Sequence, residues 1–295
     1  MTMPIGTESV RRAGTEFRWP GGVPVAVIFN IAYEGWSAGK APGIGPMGNV
    51  LQPGYFDTNA DSWARYGAVR GIQRLSRIAR ANGVKASVMV SGVLAERHPQ
   101  TVADLRSDGH EIVAHSYGMD VIPIYLDEAA ERANIARTGD LIEKACGLRP
   151  TGWISPRATN SLASPRLLAE AGYLWHGDAN DDDLPALIEL PGGERTGIVA
   201  LPLTMDVNDL PHSIRYGNAP DALIGQFEAI LDRATAADAQ PFMLDVTAHT
   251  HVFGRPSGAW VYDAMIKLAL KRTDIWITTR AEVAAYAREK EAWFA

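Results

Sequence analysis

The sequence has 295 residues, of which 46% are apolar and 21% are charged, and its formal net charge is −6. These values fit an ordinary globular protein and disfavour a nucleic-acid-binding surface, which needs clustered positive charge. The single cysteine, Cys146, excludes an internal disulfide and is typical of a reducing compartment. The N-terminus lacks the apolar run of a signal peptide, and no apolar run approaches the about 20 residues of a membrane span, so we expect a cytoplasmic protein.

Short β-branched runs alternate with longer helical patterns along the chain. Strands are predicted, in chain order, at 25–31, 85–90, 110–115, 151–155, 173–177, 242–248 and 274–279, and two further short runs, 186–190 and 197–203, follow the fifth of these. Helices are predicted at 61–83, 99–109, 127–147, 161–172, 221–236, 258–271 and from Arg280 onward. Because this alternation implies parallel strands joined by helical crossovers, it predicts an α/β barrel of about seven parallel strands with outer helices. An open doubly wound sheet is the alternative, although no G-x-G-x-x-G or Walker loop follows the first strand.

The domain prediction is a single catalytic barrel domain over residues 1–295, with 1–20 as an N-terminal arm. The segment 32–60 is rich in glycine, proline and aromatic residues and has no clear period. Loops of this length in a compact domain are usually functional or disordered, and the aromatic residues favour ordered packing. We therefore expect this segment to cover the mouth of the barrel.

Polar residues gather directly after the predicted strands, where active sites of parallel barrels lie. Glu34 follows the first strand, His115 the third and Arg157 the fourth, and His249 follows the strand at 242–248. A buried carboxylate is costly unless it is paired or used, which favours a function for Glu34. A single histidine after a strand is often structural, and this alternative stays open for His115 and His249. Other candidates in these positions are Tyr33, Trp36, Asp178, Asp182, Asp206, Asn208, Asp209 and His251.

An ordered set of motifs resembles the polysaccharide deacetylase superfamily, and within it the allantoinase-like branch. In chain order the motifs are FRWPGGVPVAVIFN, GVKASVMVSGVLAERHP, GHEIVAHS, RPTGWISPRATNS, LLAEAGYLWHGDANDDDLP, LPLTMDVNDLP and HTHVFGRPS. The resemblance implies a distorted (β/α) barrel and a hydrolase of C–N bonds other than peptide bonds. The sugar branch removes acetyl groups from amino sugars, whereas the allantoinase-like branch opens a cyclic ureide ring. The resemblance also implies a homo-oligomer.

The metal-binding motifs of the sugar deacetylases are incomplete in this sequence. Their two aspartates around the end of the first strand are absent from FNIAYEG, and their paired histidines become His115 and Met119. A catalytic zinc ion normally takes three protein ligands, so no metal cofactor is favoured. If zinc or another divalent metal binds, the predicted ligands are Glu34, His115 and His251.

The predicted function is hydrolysis that opens a cyclic amide, ureide or imide ring. Amide hydrolysis needs a base for water, stabilisation of the oxyanion and an acid for the leaving nitrogen. The predicted catalytic residues are Glu34, His115 and His249, and His249 matches the late histidine of the family and is the candidate acid. The predicted substrate-binding residues are Tyr33, Trp36, Arg157, Asp178, Asp182 and Asn208.

Two alternatives remain open at this point. One is a metal-dependent de-N-acetylase of amino sugars or small amides, and the other is a non-catalytic ligand-binding barrel. The predicted partner is a small-molecule substrate, with neither nucleic acid nor membrane.

Overall fold

The computed structural model describes residues 9–48, 51–190, 197–234 and 240–294. The strands are β1 (Ser9–Arg12), β2 (Val25–Tyr33), β3 (Ser87–Val90), β4 (Glu111–Ala114), β5 (Gly152–Trp153), β6 (Trp175–Ala179), β7 (Ala186–Glu189), β8 (Ile198–Pro202), β9 (Val207–Asn208), β10 (Phe242–His249) and β11 (Ile275–Thr278). The helices are α1 (Thr58–Tyr66), α2 (Ile72–Ala81), α3 (Gly92–Arg97), α4 (Pro99–Ser107), α5 (Glu128–Cys146), α6 (Ser164–Glu170), α7 (Ala222–Arg233), α8 (Pro256–Ala269) and α9 (Arg280–Glu289). Within these ranges no helix has the length and apolar character that would let it cross a membrane.

The strands form one curled sheet in the order β1-β7-β8-β6-β5-β4-β3-β2-β10-β9, with β11 also paired to β2. The pairs β1–β7 and β7–β8 are antiparallel, and the other pairs are parallel. This arrangement is an α/β half-barrel and confirms the predicted class of fold. Within the described residues the sheet has eleven strands rather than about seven, because the short runs at 186–190 and 197–203 form β7 and β8, and because β1 and β9 were not predicted. β1 and β7 make an antiparallel edge, and β9 is too short to give a periodic signal.

The predicted elements are mostly present, with two differences. The helix predicted at 61–83 is divided into α1 and α2 by a π-helical turn at Gly67–Gly71. The short helix α3 was not predicted, because its six residues are too few to show a helical period. The predicted N-terminal arm is described from β1 onward, and its first eight residues lie outside the described ranges, as do the last two residues of the helix predicted at 221–236.

Side chains of the parallel strands alternate between two apolar clusters, one on each face of the sheet. On β2, Val27, Phe29 and Ile31 pack on the outer face, against the helices, whereas Ile28 and Ala32 pack on the inner face. Because successive side chains of a strand point to opposite faces, Glu34 continues the inner row. The same alternation on β4 and β10 puts His115 and His249 on the inner face. The fold therefore places all three predicted catalytic side chains on the same face of the sheet.

A buried polar network lies on the inner face before the ends of β2 and β10. Arg280, at the start of α9, is fully buried and its Nη2 lies 2.7 Å from Oδ1 of Asp245. Asn30 donates to the same oxygen at 2.7 Å, and its own Oδ1 accepts from Nε of Arg280 at 3.3 Å. The network fastens α9 to the two strands that carry Glu34 and His249.

Candidate active site

Four titratable side chains, here called the Glu34 cluster, meet where β2, β4 and β10 end. The Glu34 carboxylate is almost buried, and its Oε1 lies 3.5 Å from Nε2 of His115 and 3.5 Å from Nε2 of His249. Its Oε2 lies 3.8 Å from Nε2 of His251, which follows β10 by two residues. The structure thus brings the three predicted catalytic residues together and adds His251 to them.

Each of the first two imidazoles is oriented through its other ring nitrogen. Nδ1 of His115 lies 2.7 Å from the carbonyl oxygen of Ile154, and because a carbonyl only accepts, Nδ1 is the donor. Nδ1 of His249 lies 2.6 Å from Oδ1 of Asp209. In both residues the hydrogen bond at Nδ1 turns Nε2 toward Glu34, and such partners determine the tautomer and ring position of histidines in sites of this kind.

Asp209 is the hydrogen-bond partner of His249, and this contact was not predicted. Its carboxylate is fully buried and accepts hydrogen bonds from the backbone N–H of His249 at 2.8 Å and of Phe253 at 3.0 Å, in addition to the His249 ring. Asn208, next to it, accepts from the backbone N–H of Leu210 at 3.1 Å and so shapes the turn that presents Asp209. The only signal in the sequence was the place of Asp209 among the polar residues that follow the strand at 197–203.

The charges of the cluster determine its protonation state. Burial alone would raise the pKa of Glu34, but the positive charge of His249 and its hydrogen bond to the carboxylate hold this pKa well below its usual range. Burial alone would lower the pKa of His249, but Asp209 and Glu34 raise it to about 10. At neutral pH the site therefore contains an anionic carboxylate next to a cationic imidazolium.

His251 has the opposite electrostatic character. Burial lowers its pKa to about 4, and the positive charge of His249 acts in the same direction, so the ring is neutral at neutral pH. Its ring lies edge-on to two indoles, with centroids 4.5 Å from Trp63 and 5.8 Å from Trp36. Within the described part of the chain, its buried Nδ1 has no hydrogen-bond partner. His251 thus contributes a neutral imidazole ring with an unpaired nitrogen to the cluster.

The π-helical turn between α1 and α2 supports the segment that carries His249 and His251. A Cβ atom at Gly71 would lie 1.8 Å from the carbonyl oxygen of Thr250, and one at Gly67 would lie 2.5 Å from the Thr250 hydroxyl. Only glycine allows the helix to pack so closely against this backbone. The divided helix is therefore part of how the site is held, in line with the frequent occurrence of π-turns at functional sites.

Among the predicted substrate-binding residues, Trp36 is the one that adjoins the cluster. It is half-buried beside His251. Tyr33 is fully buried in the outer apolar cluster, because it is one residue before Glu34 and its side chain points to the opposite face. Arg157 is exposed on a turn where it adopts a left-handed φ of 61°. The placement of Tyr33 does not support contact with a substrate at Glu34.

The remaining predicted substrate-binding residues make local contacts. Asp178 is buried and accepts from the backbone N–H of Ser155 at 2.7 Å, so it holds the end of β5. Asp182 forms an ion pair with Arg12 of β1 at 2.8 Å. Asn208 shapes the turn that presents Asp209, through its hydrogen bond with Leu210. These contacts account for Asp178 and Asp182 as structural groups and give no support to the predicted substrate-binding role of either residue.

The donor groups of the cluster and their arrangement determine whether it could hold a metal. Imidazole and carboxylate are suitable ligands for zinc. However, no group of three or more His, Cys, Asp or Glu side chains within the described ranges is arranged so that it could hold a metal ion. In place of the second histidine of the deacetylases stands Met119, whose thioether is a poor ligand for a hydrolytic metal. The residues as placed, including Glu34, His115 and His251, do not fit a zinc site, and the mechanism proposed below uses no metal step.

A cavity of about 240 Å³ reaches Glu34 from the side of α1 and α3. The loop after β2 forms one wall and includes Trp36, which also contacts His251. A space of this size can accommodate a small ring. The cavity therefore gives a small ligand a route to the Glu34 cluster.

Comparison with known proteins agrees with this geometry. The family model described as polysaccharide deacetylase matches residues 61–175. A Schizosaccharomyces pombe protein named as a polysaccharide deacetylase is 23% identical over 265 residues, which cover 81% of this chain and 77% of the relative. The resemblance to polysaccharide deacetylases is confirmed.

Two solved structures extend the likeness to almost the whole chain. One is a probable polysaccharide deacetylase of Pseudomonas aeruginosa PAO1, with 26% identity, a TM-score of 0.82 and coverage of 92% of this chain and 93% of the other. The second is PuuE allantoinase, with 26% identity, a TM-score of 0.82 and coverage of 92% of both chains. The chain thus resembles hydrolases of C–N amide bonds, and its structural neighbours include an allantoinase.

Proposed function

We propose that this chain is a hydrolase that opens a cyclic amide, ureide or imide ring. The observation that carries the proposal is the contact of one buried carboxylate, Glu34, with the Nε2 atoms of three histidines. The likeness to PuuE allantoinase supports a ring as the substrate.

In this proposal the base is the Glu34 carboxylate, with His115 as its partner. Glu34 is anionic at neutral pH, since the neighbouring imidazolium lowers its pKa. It takes a proton from water while the water oxygen attacks the ring carbonyl carbon. His115, oriented by the Ile154 carbonyl, faces the same oxygen of Glu34 and orients the water.

The proposed acid is His249. Its raised pKa keeps the ring protonated at neutral pH, which an acid requires. The C–N bond breaks as Nε2 delivers its proton to the leaving nitrogen, and the products are a carboxylic acid and a free amide or amine end. The 3.5 Å contacts to Glu34 are longer than strong hydrogen bonds, as is common in sites without substrate.

The neutral ring of His251 is proposed to polarise the carbonyl oxygen. A neutral imidazole retains one N–H that can donate to an oxyanion, and its low pKa means that it does not add a second cation to the site. Donors fixed in a buried site act strongly, because water does not screen them. A strained or activated cyclic amide needs less electrophilic help than an acetamide, which favours a ring as the substrate.

A second candidate is de-N-acetylation of an amino sugar or a small amide. The match of residues 61–175 to the polysaccharide deacetylase model favours it. The two functions predict different products, since a deacetylase releases acetate and a ring-opening hydrolase releases a single, larger product. Incubation with N-acetylglucosamine oligomers and with a panel of hydantoins, ureides and imides, each with and without added zinc, distinguishes them by mass spectrometry.

The acid–base roles are tested by Glu34→Gln and His249→Ala. We expect each variant to lower turnover by at least about 100-fold while the fold is retained, as is typical for loss of a general acid or base. His249→Ala is expected to affect rings with poor leaving nitrogens more than activated ones, because only the former need a proton. Glu128→Gln, on the exposed N-terminal turn of α5, is the matched control and should leave the rate unchanged. Near-normal rates in both variants would show that Glu34 and His249 are structural, whereas absence of turnover of every ring by the wild-type protein would favour a non-catalytic ligand-binding barrel.

A further inference from the structure

Cationic side chains surround the opening of the cavity that ends at Glu34. Lys40 lies on the loop after β2, Arg65 on α1 and Arg97 at the end of α3, and all three are exposed and line this cavity. The same cavity is also lined by two carboxylates, those of Asp61 and Glu34. The positive charge at the opening therefore points to recognition of a ligand.

Two of these charges are available to a ligand. Arg65 is paired with Asp61, its neighbour on α1, at 2.9 Å. Lys40 and Arg97, in contrast, form no ion pair with another described residue. The carboxylate of Glu96, adjacent to Arg97 in sequence, already accepts from the Tyr117 hydroxyl at 2.7 Å and lies 3.5 Å from Arg137.

The carboxylates of the cavity do not cancel these two charges. Asp61 is engaged by Arg65, and Glu34 is balanced by the imidazolium of His249. The lining also includes apolar or small side chains, among them Leu94, Ala64 and Ala68. The cavity thus combines the Glu34 carboxylate, an apolar lining and two exposed cations that form no ion pair with another described residue.

We propose that the substrate carries an anionic carboxylate on a short arm beside its ring, and that Lys40 and Arg97 bind this carboxylate. The proposal rests on the ring-opening function and adds a class of substrate to it. The planar fork of a guanidinium is suited to a carboxylate, and a lysine ammonium adds a second donor. The apolar part of the cavity lining accommodates the arm while the ring reaches Glu34.

The kinetic test compares two hydantoins that differ only in charge. One carries a propionate arm on ring carbon 5, and the other carries the corresponding propionamide. We expect kcat/KM to be about tenfold higher for the propionate at low ionic strength, and the preference to decrease as sodium chloride screens the exposed charges. The double variant Lys40→Gln/Arg97→Gln should reduce the ratio of the two kcat/KM values to near one.

Matched variants show whether the effect is local. Arg77→Gln, which removes an exposed cation from α2 outside the cavity, should retain the preference, and Lys40→Arg should retain most of it. A ratio near one in the wild-type protein, or an equal loss of preference in Arg77→Gln, would overturn the proposal.

Calorimetry separates failure of this proposal from failure of the ring-opening function. Binding of both hydantoins is measured to Glu34→Gln, with and without the Lys40→Gln/Arg97→Gln pair. If the propionate binds more tightly than the propionamide, and this difference is lost when Lys40 and Arg97 are both replaced by glutamine, anion recognition is supported even if no ring is opened. Ring opening without any preference in rate or binding contradicts anion recognition and leaves the proposed function intact, whereas absence of both binding and turnover contradicts both proposals.

Discussion

The substitution Asp209→Asn tests the electrostatic arrangement of the cluster most directly. Asparagine keeps the shape of the side chain and removes the negative charge that lies 2.6 Å from Nδ1 of His249. Two unit charges about 4 Å apart in a medium of effective dielectric constant about 20 interact with about 4 kcal/mol, and one pKa unit corresponds to about 1.4 kcal/mol. Loss of this attraction is therefore large enough to bring the pKa of His249 from about 10 close to its usual value of 6.5.

The sign of the effect on activity follows from the role of His249. An acid must be protonated, so kcat/KM falls as the pH rises through the pKa of the ring. In the wild-type protein we expect this decline near pH 10, and in Asp209→Asn we expect it to begin about three pH units lower. The variant should also lose about 1–3 kcal/mol of stability, because the asparagine amide cannot accept from all the donors that face Asp209.

Two measurements check this prediction independently. One is the pH dependence of kcat/KM on an activated ring, and the other is an NMR titration of histidine-labelled protein, with the His249 resonance assigned through His249→Ala. Asp140→Asn, which removes an exposed partner of Arg149, is the control and should change neither. If the NMR titration of His249 is the same in Asp209→Asn and the wild type, Asp209 does not hold the proton on this ring. If the NMR titration moves and the rate profile does not, His249 is not the acid.

Three further predictions concern the metal, the core and the assembly. Protein purified without added metal should contain much less than one zinc per chain by elemental analysis and should keep its ring-opening rate after dialysis against a chelator; stoichiometric zinc that is lost together with activity would favour the deacetylase. Arg280→Met should lower the free energy of unfolding in urea by about 3–5 kcal/mol, because it leaves the buried carboxylate of Asp245 without its cation. Arg166→Met, at a surface ion pair, should lower it by under about 1 kcal/mol, and equal effects of the two substitutions would contradict the strength assigned to the buried network. Light scattering at micromolar concentration should give a homo-oligomer, as the allantoinase-like resemblance implies, and a monomer would reject this expectation.

Most of the fold could be predicted because its signals are local. The apolar runs before Glu34, His115 and His249 are buried strands, and the helix predicted to end at residue 83 ends in the structure at Ala81, the last residue of α2. Parallel strands joined by helices put their carboxyl ends at one edge of a sheet, so candidates from distant parts of the chain could be expected together. The prediction of the cluster depended on this topology rather than on any continuous motif.

The parts that were missed depend on contacts that have no local pattern. β9 is two residues long, so nothing in its sequence indicates that Asp209 turns toward His249. The glycines of the π-turn resemble ordinary helix interruptions, and only the position of Thr250 explains why two are needed. Tyr33 is different, because the alternation of side chains along β2 already placed it on the face opposite to Glu34. Applying that alternation would have removed Tyr33 from the predicted substrate-binding residues.

The proposed proton movements leave the total charge of the site unchanged. In the resting site Asp209 and Glu34 are anionic and His249 is cationic, so the three groups together carry one negative charge. When Glu34 takes a proton from water and His249 gives one to the leaving nitrogen, the negative charge remains, now on Asp209 alone. Separating charge in a buried site is costly. A series of proton transfers that keeps the total charge of the site constant therefore needs no counter-ion from solvent. The 3.5 Å contact between Glu34 and His249 then provides the path by which the proton returns to the acid and the resting state is restored.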